Sequence, residues 1–545
     1  MLDTREQLVE EFENVKRRKK IGDFKVDKSE RLYKEKELKE ESYDVFISRN
    51  TPFVTRKLRD IESGQVYYTL RFKNEGKDVY KDVKASTLVT RRELLTLSDV
   101  GLAVTENNAK ELINFIDLYI NEHNFEQEDM TSRIGYIGNK FVHPQDKSIN
   151  IIQESGYQSL IDAFKAKGNL DTYIKDVFNH VKNEHTALFF MLASLASPLL
   201  KRHEIDPFIV DLSGRTSSGK TTLLRLCSSI WGSKELIGEW NITKVALERK
   251  AAFLNNFPLL LDDTRKASPF MLKDIVYQFS GGKSKGRGNI KNIDEEMTYH
   301  NIMISTGEVA ITEYSAEMAG VAARVISIDD PPFKHRNDYK DLYRAMSANY
   351  GTLGLAFMKE YHSDKKYYDN LFLTFETQYF NQAKGNEVLS RLGRSYAIIH
   401  TAGQILLNIP GIEFDLDAVM LQNYQAVADG SNTAYDKPKE LLNKLFEQID
   451  GKRHNLKHDD DDDDDRADTL AISKQDELCI PVLKVNEFLE HESKQTRKLW
   501  LERGFTLQNS DGKDFHKVSY KSGRPNCIKV PRPVYLQFGY DFHKF

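Results

Sequence analysis

The chain has 545 residues, a formal net charge of −4, and a composition that is 40% hydrophobic and 29% charged. This balance is typical of a soluble protein with large hydrophobic cores, and the length predicts three or four domains at about 150 residues each. Because no apolar run approaches about 18 residues, a membrane-spanning helix is excluded, and the highly charged start is not expected to be a signal peptide. Three widely spaced cysteines lack a zinc-binding spacing, so we expect a reduced, cytoplasmic protein without a zinc site.

Much of the negative charge lies in one run of seven aspartates, residues 459–465. Without these seven charges the net charge of −4 becomes +3, so the remaining chain neither requires nor excludes nucleic acid as a partner. Like charges at this density repel one another and cannot form a core. We therefore interpret residues 446–470 as an acidic linker, in preference to a metal-binding or histone-mimicking segment.

From the amino terminus onwards, the chain predicts modules with different periodicities. Residues 1–45 carry dense charges of both signs with sparse apolar residues, which favours a charged, solvated helical segment. Residues 46–145 contain alternating apolar and polar positions between short turn sequences, which predicts a β-rich module. Residues 146–200 have a helical pattern that ends in the apolar stretch HTALFFMLASLASPLL, and we interpret them as a helical connector.

Residues 201–445 alternate short apolar runs with helical patterns, and helices dominate their second half. Such alternation predicts a parallel α/β sheet with ligands at the carboxyl ends of its strands, followed here by a helical lid. After the linker, residues 471–545 predict two helices and then two strands around a Ser-Gly turn, which is typical of a winged helix. The predicted fold class is therefore multidomain α/β.

The strongest motif follows the apolar run FIVDL, where Gly214-x-x-x-x-Gly219-Lys220-Thr221 forms a phosphate-binding loop of the Walker A type. Glycines let the backbone curl so that successive N–H groups converge on a phosphate, and the following helix directs its positive end at the same anion. We predict that this loop binds ATP, with the Lys220 ammonium on the β- and γ-phosphates and the Thr221 hydroxyl on Mg²⁺. The predicted nucleotide-binding residues are Gly214, Ser217, Ser218, Gly219, Lys220, Thr221 and Thr222.

A second apolar run, PLLL, ends in the paired carboxylates Asp262 and Asp263. This is a Walker B arrangement, in which the first carboxylate holds Mg²⁺ and the second orients or deprotonates the attacking water. We assign these roles to Asp262 and Asp263 in that order. Many related sites carry glutamate in the second position, and aspartate is shorter by one methylene.

A third apolar run, HNIMIST, ends in two hydroxyl residues. In ATPases of the AAA+ type, a polar side chain here sits between the Walker A and Walker B motifs and helps to place the lytic water; we choose Thr306, with Ser305 as the alternative. Arg324 opens a fourth apolar run, where an arginine finger would stabilise the phosphoryl group transferred in a neighbouring subunit. Arg391 and Arg394 are candidates for a sensor arginine from the lid, and the sequence does not distinguish between them.

The segment Gly281–Asn289 is short, glycine-rich and basic, and it precedes the third apolar run. It cannot form a core, but it can form a hairpin that presents Lys283, Lys285 and Arg287 to a phosphate backbone. A solvated loop is the simpler interpretation. The position before the third run, where ring helicases carry a pore hairpin, favours DNA contact by these three residues.

Together these motifs resemble an AAA+ ATPase, and the basic insertion is similar to that of the minichromosome maintenance (MCM) replicative helicases. Over its whole length the chain resembles the MCM-like Cch helicases of staphylococcal cassette chromosome elements. The resemblance implies a homo-oligomeric, hexameric ring that uses ATP and Mg²⁺ to move along single-stranded DNA and to unwind forked duplex. It also implies a role in replicating a mobile element, with a replication protein as a further partner. The chain departs from the MCM pattern because its N-terminal module lacks zinc-binding cysteines and because Asp263 replaces glutamate.

Other functions are compatible with these residues. A non-helicase AAA+ switch, such as a DNA-bound loader or a transposition regulator, would use ATP to assemble. A superfamily 3 phage-type helicase would carry an asparagine where Thr306 stands. A small-molecule P-loop kinase is disfavoured, since three additional modules and a linker would serve it poorly.

Overall fold

The computed structural model describes residues 20–38, 41–146, 148–152, 156–215, 218–284, 297–313, 323–333, 339–434, 437–458, 469–474, 476–490, 493–520 and 523–543. The chain divides into two compact units, residues 1–427 and residues 428–545. Each unit contains β-structure, helices and a hydrophobic core of its own. Within these ranges, no helix combines the length and the apolar character needed to cross a lipid bilayer.

The first unit begins with a four-stranded antiparallel sheet of Lys20–Ile21, Phe24–Val26, Leu32–Leu38 and Glu41–Ser48. The helical prediction for residues 1–45 is therefore wrong over the described part, and residues 1–19 lie outside it. The charges that suggested helical pairing instead pair across strands, as Lys25 and Asp44 do at 2.9 Å. Phe24 is buried because its ring packs edge-on against Phe115 of a helix, with 5.5 Å between the ring centroids.

A five-stranded sheet follows, in the order Asn150–Ile151, Gln127–Thr131, Phe53–Asp60, Val66–Asn74 and Lys77–Lys84. A two-stranded hairpin pairs Gly135–Ile137 with Lys140–Val142. Most of these strands lie where the alternating pattern of residues 46–145 predicts β-structure. Leu70 and Phe72 alternate along one strand and are both fully buried in a core shared with the first sheet.

Helices connect and cover the sheets of the first unit. The α-helices before residue 435 in the described ranges are Ala85–Val89, Arg91–Leu94, Ala109–Glu122, Gln158–Ala163, Leu170–Tyr173, Asn179–Val181, His185–Ala196, Lys220–Ser229, Lys244–Leu254, Pro269–Ser280, Tyr339–Ala348, Leu353–Ser363, Lys365–Gln382, Glu387–Leu407 and Leu416–Ala434. The helix His185–Ala196 is buried at nearly every position, which explains why its sequence is apolar on all sides.

The central sheet has five parallel strands, in the order Gly238–Glu239, Leu259–Asp262, Ile302–Thr306, Phe208–Leu212 and Val325–Ile328. We call the last four the acidic strand, the sensor strand, the P-loop strand and the arginine strand. The prediction of a parallel α/β sheet is confirmed. Its strands read as continuous apolar runs because a parallel sheet is covered on both faces. The sensor strand lies between the acidic strand and the P-loop strand, with Thr306 beside Leu212.

The second unit is built on a five-stranded sheet of Leu456–His458, Ala471–Lys474, Glu477–Pro481, Asn526–Pro531 and His516–Lys517, in that order. Its helices are Lys437–Gly451, Val482–Leu489, Ser493–Glu502 and Arg532–Gln537. The linker prediction for residues 446–470 is wrong for residues 446–458, which form the end of a helix and a strand parallel to Ala471–Lys474. Leu456 is buried in that strand, and residues 459–465 lie outside the described residues.

Candidate active site

The carboxyl edge of the central sheet carries the glycine-rich loop that follows the P-loop strand. Gly214 has a φ of 144° and Gly219 a φ of 91°, which residues with a Cβ rarely adopt. A Cβ at Gly219 would also lie 3.0 Å from both the Phe333 ring and the Tyr339 hydroxyl. The helix Lys220–Ser229 begins directly after this glycine, so its free N–H groups face the loop. Ser217 lies outside the described residues, whereas Ser218 is within them.

Lys220 lies inside the curve of this loop. Its ammonium donates to the carbonyl oxygens of Gly214 and Arg215, both at 2.7 Å. Burial lowers the pKa of Lys220, and Glu308 is the nearby carboxylate that opposes this lowering most. Thr222, the residue after the motif, is buried and shares a hydrogen bond of 2.7 Å with the Tyr343 hydroxyl. The loop therefore presents a cation, N–H groups and hydroxyls to one volume, which suits a polyphosphate.

Asp262, at the end of the acidic strand, contacts the first turn of the helix Lys220–Ser229 and the end of the sensor strand. The Thr221 hydroxyl donates to one carboxylate oxygen at 3.1 Å, and the Thr306 hydroxyl donates to the other at 2.6 Å. Mg²⁺ prefers hard oxygen ligands and is commonly held by one or two protein oxygens together with substrate phosphates. The adjacent Thr221 hydroxyl and Asp262 carboxylate fit that requirement. No cluster of three or more acidic, histidine or cysteine ligands occurs among the described residues, so a metal held by protein ligands alone is not indicated there.

Ser305 and Thr306 point to opposite faces of the sensor strand, as successive strand residues do. Ser305 is fully buried and accepts a hydrogen bond of 3.1 Å from the Trp240 indole N–H. Ser305 also pairs in register with Asp211 of the P-loop strand, a buried carboxyl that accepts from the Ile311 N–H at 2.9 Å. Burial raises the pKa of Asp211 to about 7. Of the two hydroxyls, Thr306 is therefore the one that the structure brings to Asp262.

Asp263 follows the acidic strand in a left-handed conformation, with φ 65°. Its carboxylate accepts from the Arg265 guanidinium, at 2.9 Å from Nε and 3.3 Å from Nη2. The Arg265 Nη1 also lies 2.8 Å from a carboxylate oxygen of Glu308. Hydrogen bonding to Arg265 lowers the pKa of Asp263. Sequence reasoning missed Arg265 and Glu308, because neither belongs to a Walker motif and they follow two different strands.

Arg324 lies at the amino edge of the same sheet, away from the P-loop of its own chain. Its carbonyl accepts from the Ile209 N–H at 3.0 Å, near the start of the P-loop strand. Its guanidinium lies over the Tyr277 ring, 5.1 Å from the centroid. A strand of five residues spans about 16 Å, so Arg324 and Lys220 lie beyond opposite ends of the P-loop strand.

Arg394 also lies near the amino edge. It donates to the carbonyls of His203 and Glu204 at 2.7 and 3.1 Å, which precede the P-loop strand, and pairs with Glu376 at 2.7 Å. Arg391 is exposed one turn earlier on the same helix. The structure does not bring Arg394 to the P-loop of its own chain.

The base of the basic hairpin lies within the described residues. The Ser284 N–H donates to the Met297 carbonyl at 2.8 Å, and Lys283 forms an antiparallel bridge with Thr298. Arg133 of the β-rich region donates to the Thr298 carbonyl at 2.6 Å. Lys283 is exposed, and Lys285 and Arg287 lie outside the described residues.

Comparisons with known proteins give one family profile and one solved structure with a similar overall fold. A family profile described as a domain of unknown function, DUF927, matches residues 24–295. A solved structure described as "SCCmec type IV Cch - active helicase" superimposes with a TM-score of 0.70 at 18% sequence identity, covering 96% of this chain and 99% of the other. The chain has the fold of the Cch helicase. The resemblance that the sequence indicates is thus confirmed at the level of the fold.

Other comparisons are weaker. Two apo structures of the NrS-1 C-terminal region align with TM-scores of 0.30 and 0.29, at 13% and 12% identity. Each alignment covers 87% of this chain and 96% of the other. Scores of this size do not indicate a shared overall fold. A comparison with curated proteins gives no match.

Proposed function

We propose that the chain is an ATP-dependent DNA helicase with an AAA+ core. The observation that carries the proposal is the meeting of Lys220, Thr221, Asp262 and Thr306 at the carboxyl edge of a parallel sheet. The strand order supports it, since the sensor strand lies between the strands of the two Walker motifs. The fold of a protein described as an active helicase supports the proposed outcome of hydrolysis.

At the carboxyl edge of one chain, different residues have separate roles in ATP hydrolysis. Lys220 and the loop N–H groups bind the β- and γ-phosphates, and Thr221 and Asp262 hold Mg²⁺. The metal, when bound, neutralises charge that develops on the phosphoryl oxygens. Thr306 orients the attacking water, and Asp263 accepts its proton. Ser217, Ser218 and Thr222 complete the binding loop.

The arginines at the amino edge support a site that is shared between subunits. Arg324 is too far from the P-loop of its own chain to contact the same nucleotide, so it would act on a neighbour. Arg394 lies near the same edge and would act as a lid sensor in the same way, with Arg391 as the exposed alternative. In a closed ring, which we propose is a hexamer, every P-loop would lie next to the amino edge of a neighbouring chain's sheet.

The nucleic acid on which the proposed helicase acts is single-stranded DNA at a fork. Lys283, Lys285 and Arg287 of the basic hairpin would grip its phosphates, giving binding that depends strongly on salt and weakly on sequence. The base of this hairpin is held by Arg133, so motion there would be coupled to the β-rich region. The second unit would serve as a winged helix that engages DNA or a replication protein, during replication of a mobile element.

Strand displacement on forked DNA with ATP and Mg²⁺, run with both polarities, tests the proposal. We expect unwinding by the full chain and none by Lys220→Ala. Hydrolysis without unwinding on any fork would contradict the helicase and favour a DNA-bound loader or transposition regulator.

The double variant Lys285→Ala with Arg287→Ala tests the hairpin separately. We expect unwinding to fall at least about tenfold, because two phosphate contacts are lost. The slope of log affinity for single-stranded DNA against log salt should become shallower by about 1.4. An unchanged slope would remove the hairpin from DNA binding, whatever the unwinding rate.

A further inference from the structure

We propose that Arg265 is a positioning residue for Asp263 and that Glu308 holds Arg265 in place. The orientation of Asp263, the second Walker B carboxylate, would then depend on residues that follow two different strands. This inference deepens the proposed function and rests on it. It assigns roles to two residues outside the Walker motifs.

The backbone of Asp263 leaves its carboxylate in need of orientation. The acidic strand ends at Asp262, so no strand pairing directs the next side chain. Asp263 has φ 65° and ψ 83°, a left-handed conformation that is unfavourable for a residue with a Cβ and is found mainly where surrounding contacts impose it. The Arg265 guanidinium supplies such contacts, with Nε and Nη2 on the two different carboxylate oxygens.

Glu308 contacts Nη1, the guanidinium nitrogen of Arg265 that does not contact Asp263. It follows the sensor strand and accepts Nη1 of Arg265 at 2.8 Å. The approach of the two loops depends on Gly307, because a Cβ there would lie only 2.0 Å from the Thr264 hydroxyl. The Gly307 N–H also donates to the Leu212 carbonyl at 3.0 Å. The ends of the acidic, sensor and P-loop strands are thereby joined around Arg265.

The pair is poorly explained as a stabilising surface contact. The Arg265 side chain is 54% exposed, and exposed ion pairs contribute little to folding. Both partners instead border the proposed phosphate site, since Arg265 follows Asp262 by three residues and Glu308 follows Thr306 by two. Because aspartate is shorter than the usual glutamate, a small rotation would move its oxygens out of reach of a bound water. A planar guanidinium that contacts both oxygens limits that rotation.

Steady-state ATP hydrolysis by the full chain with single-stranded DNA tests the inference. For Arg265→Ala we expect kcat to fall at least about tenfold while KM for ATP changes less than about threefold, since orientation is lost and binding is kept. Arg265→Lys, which keeps a cation without the fork, should recover part of kcat. Glu308→Gln keeps a hydrogen-bond acceptor, so its kcat should be close to that of the parent. The kcat of Glu308→Ala should fall several-fold.

The double variant Arg265→Ala with Glu308→Ala should lose much less activity than the product of the two single losses, because the proposed role of Glu308 is exerted through Arg265. Lys266→Ala is the matched control, since it removes the next cation of the same turn, which pairs with Glu239 at 2.8 Å. Its kcat should match the parent. Thermal melting of each variant identifies any loss of folding, and Arg265→Lys and Glu308→Gln decide the question if Arg265→Ala does not fold.

The outcomes separate this inference from the proposed function. If the parent hydrolyses ATP and Lys220→Ala does not, but Arg265→Ala keeps kcat within twofold, the positioning role is overturned and the ATPase stands. Additive losses in the double variant would also overturn it. A parent chain that hydrolyses no ATP would overturn both.

Discussion

The two edges of the parallel sheet hold their charged residues in different ways. At the carboxyl edge, short contacts within one chain hold Lys220 on the carbonyls of the glycine-rich loop and Asp262 on the Thr306 hydroxyl. At the amino edge, Arg324 rests on an aromatic ring and Arg394 on two backbone carbonyls, with the P-loop strand between them and the phosphate loop. In the function that we propose, the carboxyl edge is a pre-assembled phosphate site, and the cations of the amino edge would need a second chain to reach a nucleotide.

Lys220→Ala should have the largest effect, because it removes the cation of the pre-assembled edge. We expect ATP hydrolysis to fall by at least about 100-fold, as the loop loses its main charge toward the γ-phosphate. Steady-state phosphate release checks this, with the exposed Lys234→Ala as the control. If Lys220→Ala retained more than a tenth of the parent rate of ATP hydrolysis, the assignment of phosphate binding to the carboxyl edge would be contradicted.

Arg324→Ala sharpens the comparison because it leaves the carboxyl edge intact. We expect hydrolysis to fall about 100-fold or more while a fluorescent ATP analogue still binds with unchanged affinity. Mixing Arg324→Ala chains with Lys220→Ala chains should restore part of the activity, since some interfaces then combine an intact loop with an intact arginine. Mixtures that regain no activity would argue against a site shared between the two edges.

Gly307→Ala tests how tightly the carboxyl edge is packed. The added Cβ would meet the Thr264 hydroxyl at 2.0 Å, so we expect a loss of about 1–3 kcal/mol in the free energy of unfolding and slower hydrolysis. Gly451→Ala, which has open space around the new Cβ, is the control. Denaturant unfolding gives the measurement, and equal stability of both variants would show that the two loops can separate without cost.

Asp211→Asn should have the smallest effect, between the two edges in the P-loop strand. Burial raises the pKa of Asp211 to about 7 from 3.8, so its neutral form favours folding below about pH 4. That contribution is lost as the pH rises through about 7. We expect the variant to gain about 1–2 kcal/mol relative to the parent between pH 5 and pH 8, measured by denaturant unfolding. If the free energies of unfolding of the variant and the parent changed with pH in parallel, titration of the buried Asp211 carboxyl would be contradicted.

Local signals in the chain predicted the sheet and most of the carboxyl edge. Each of the runs FIVDL, PLLLDD and NIMIST contains a strand, and the last two strands end on the polar residues Asp262 and Thr306. Parallel strands end at one edge, which brings Thr221, Asp262 and Thr306 together. The prediction was poorer for residues 20–45, because mixed charges pair equally well along a helix or across strands.

Arg265 and Glu308 show a second limit of sequence reasoning. Each lies just beyond a predicted strand, but nothing in either segment indicates the other as its partner. Their contact depends on how closely two loops approach, which Gly307 permits and the strand order arranges.

The amino-acid pattern alone predicts the glycine-rich loop, the order of apolar runs and the carboxylates and hydroxyls that follow them, because these depend on backbone conformation and burial over a few residues. The folded chain is needed to show which hydroxyl reaches Asp262, which side chain contacts Asp263, and that Arg324 and Arg394 lie away from the P-loop of their own chain. Those relations depend on strand order and on side-chain direction across the sheet, and residues distant in sequence set both.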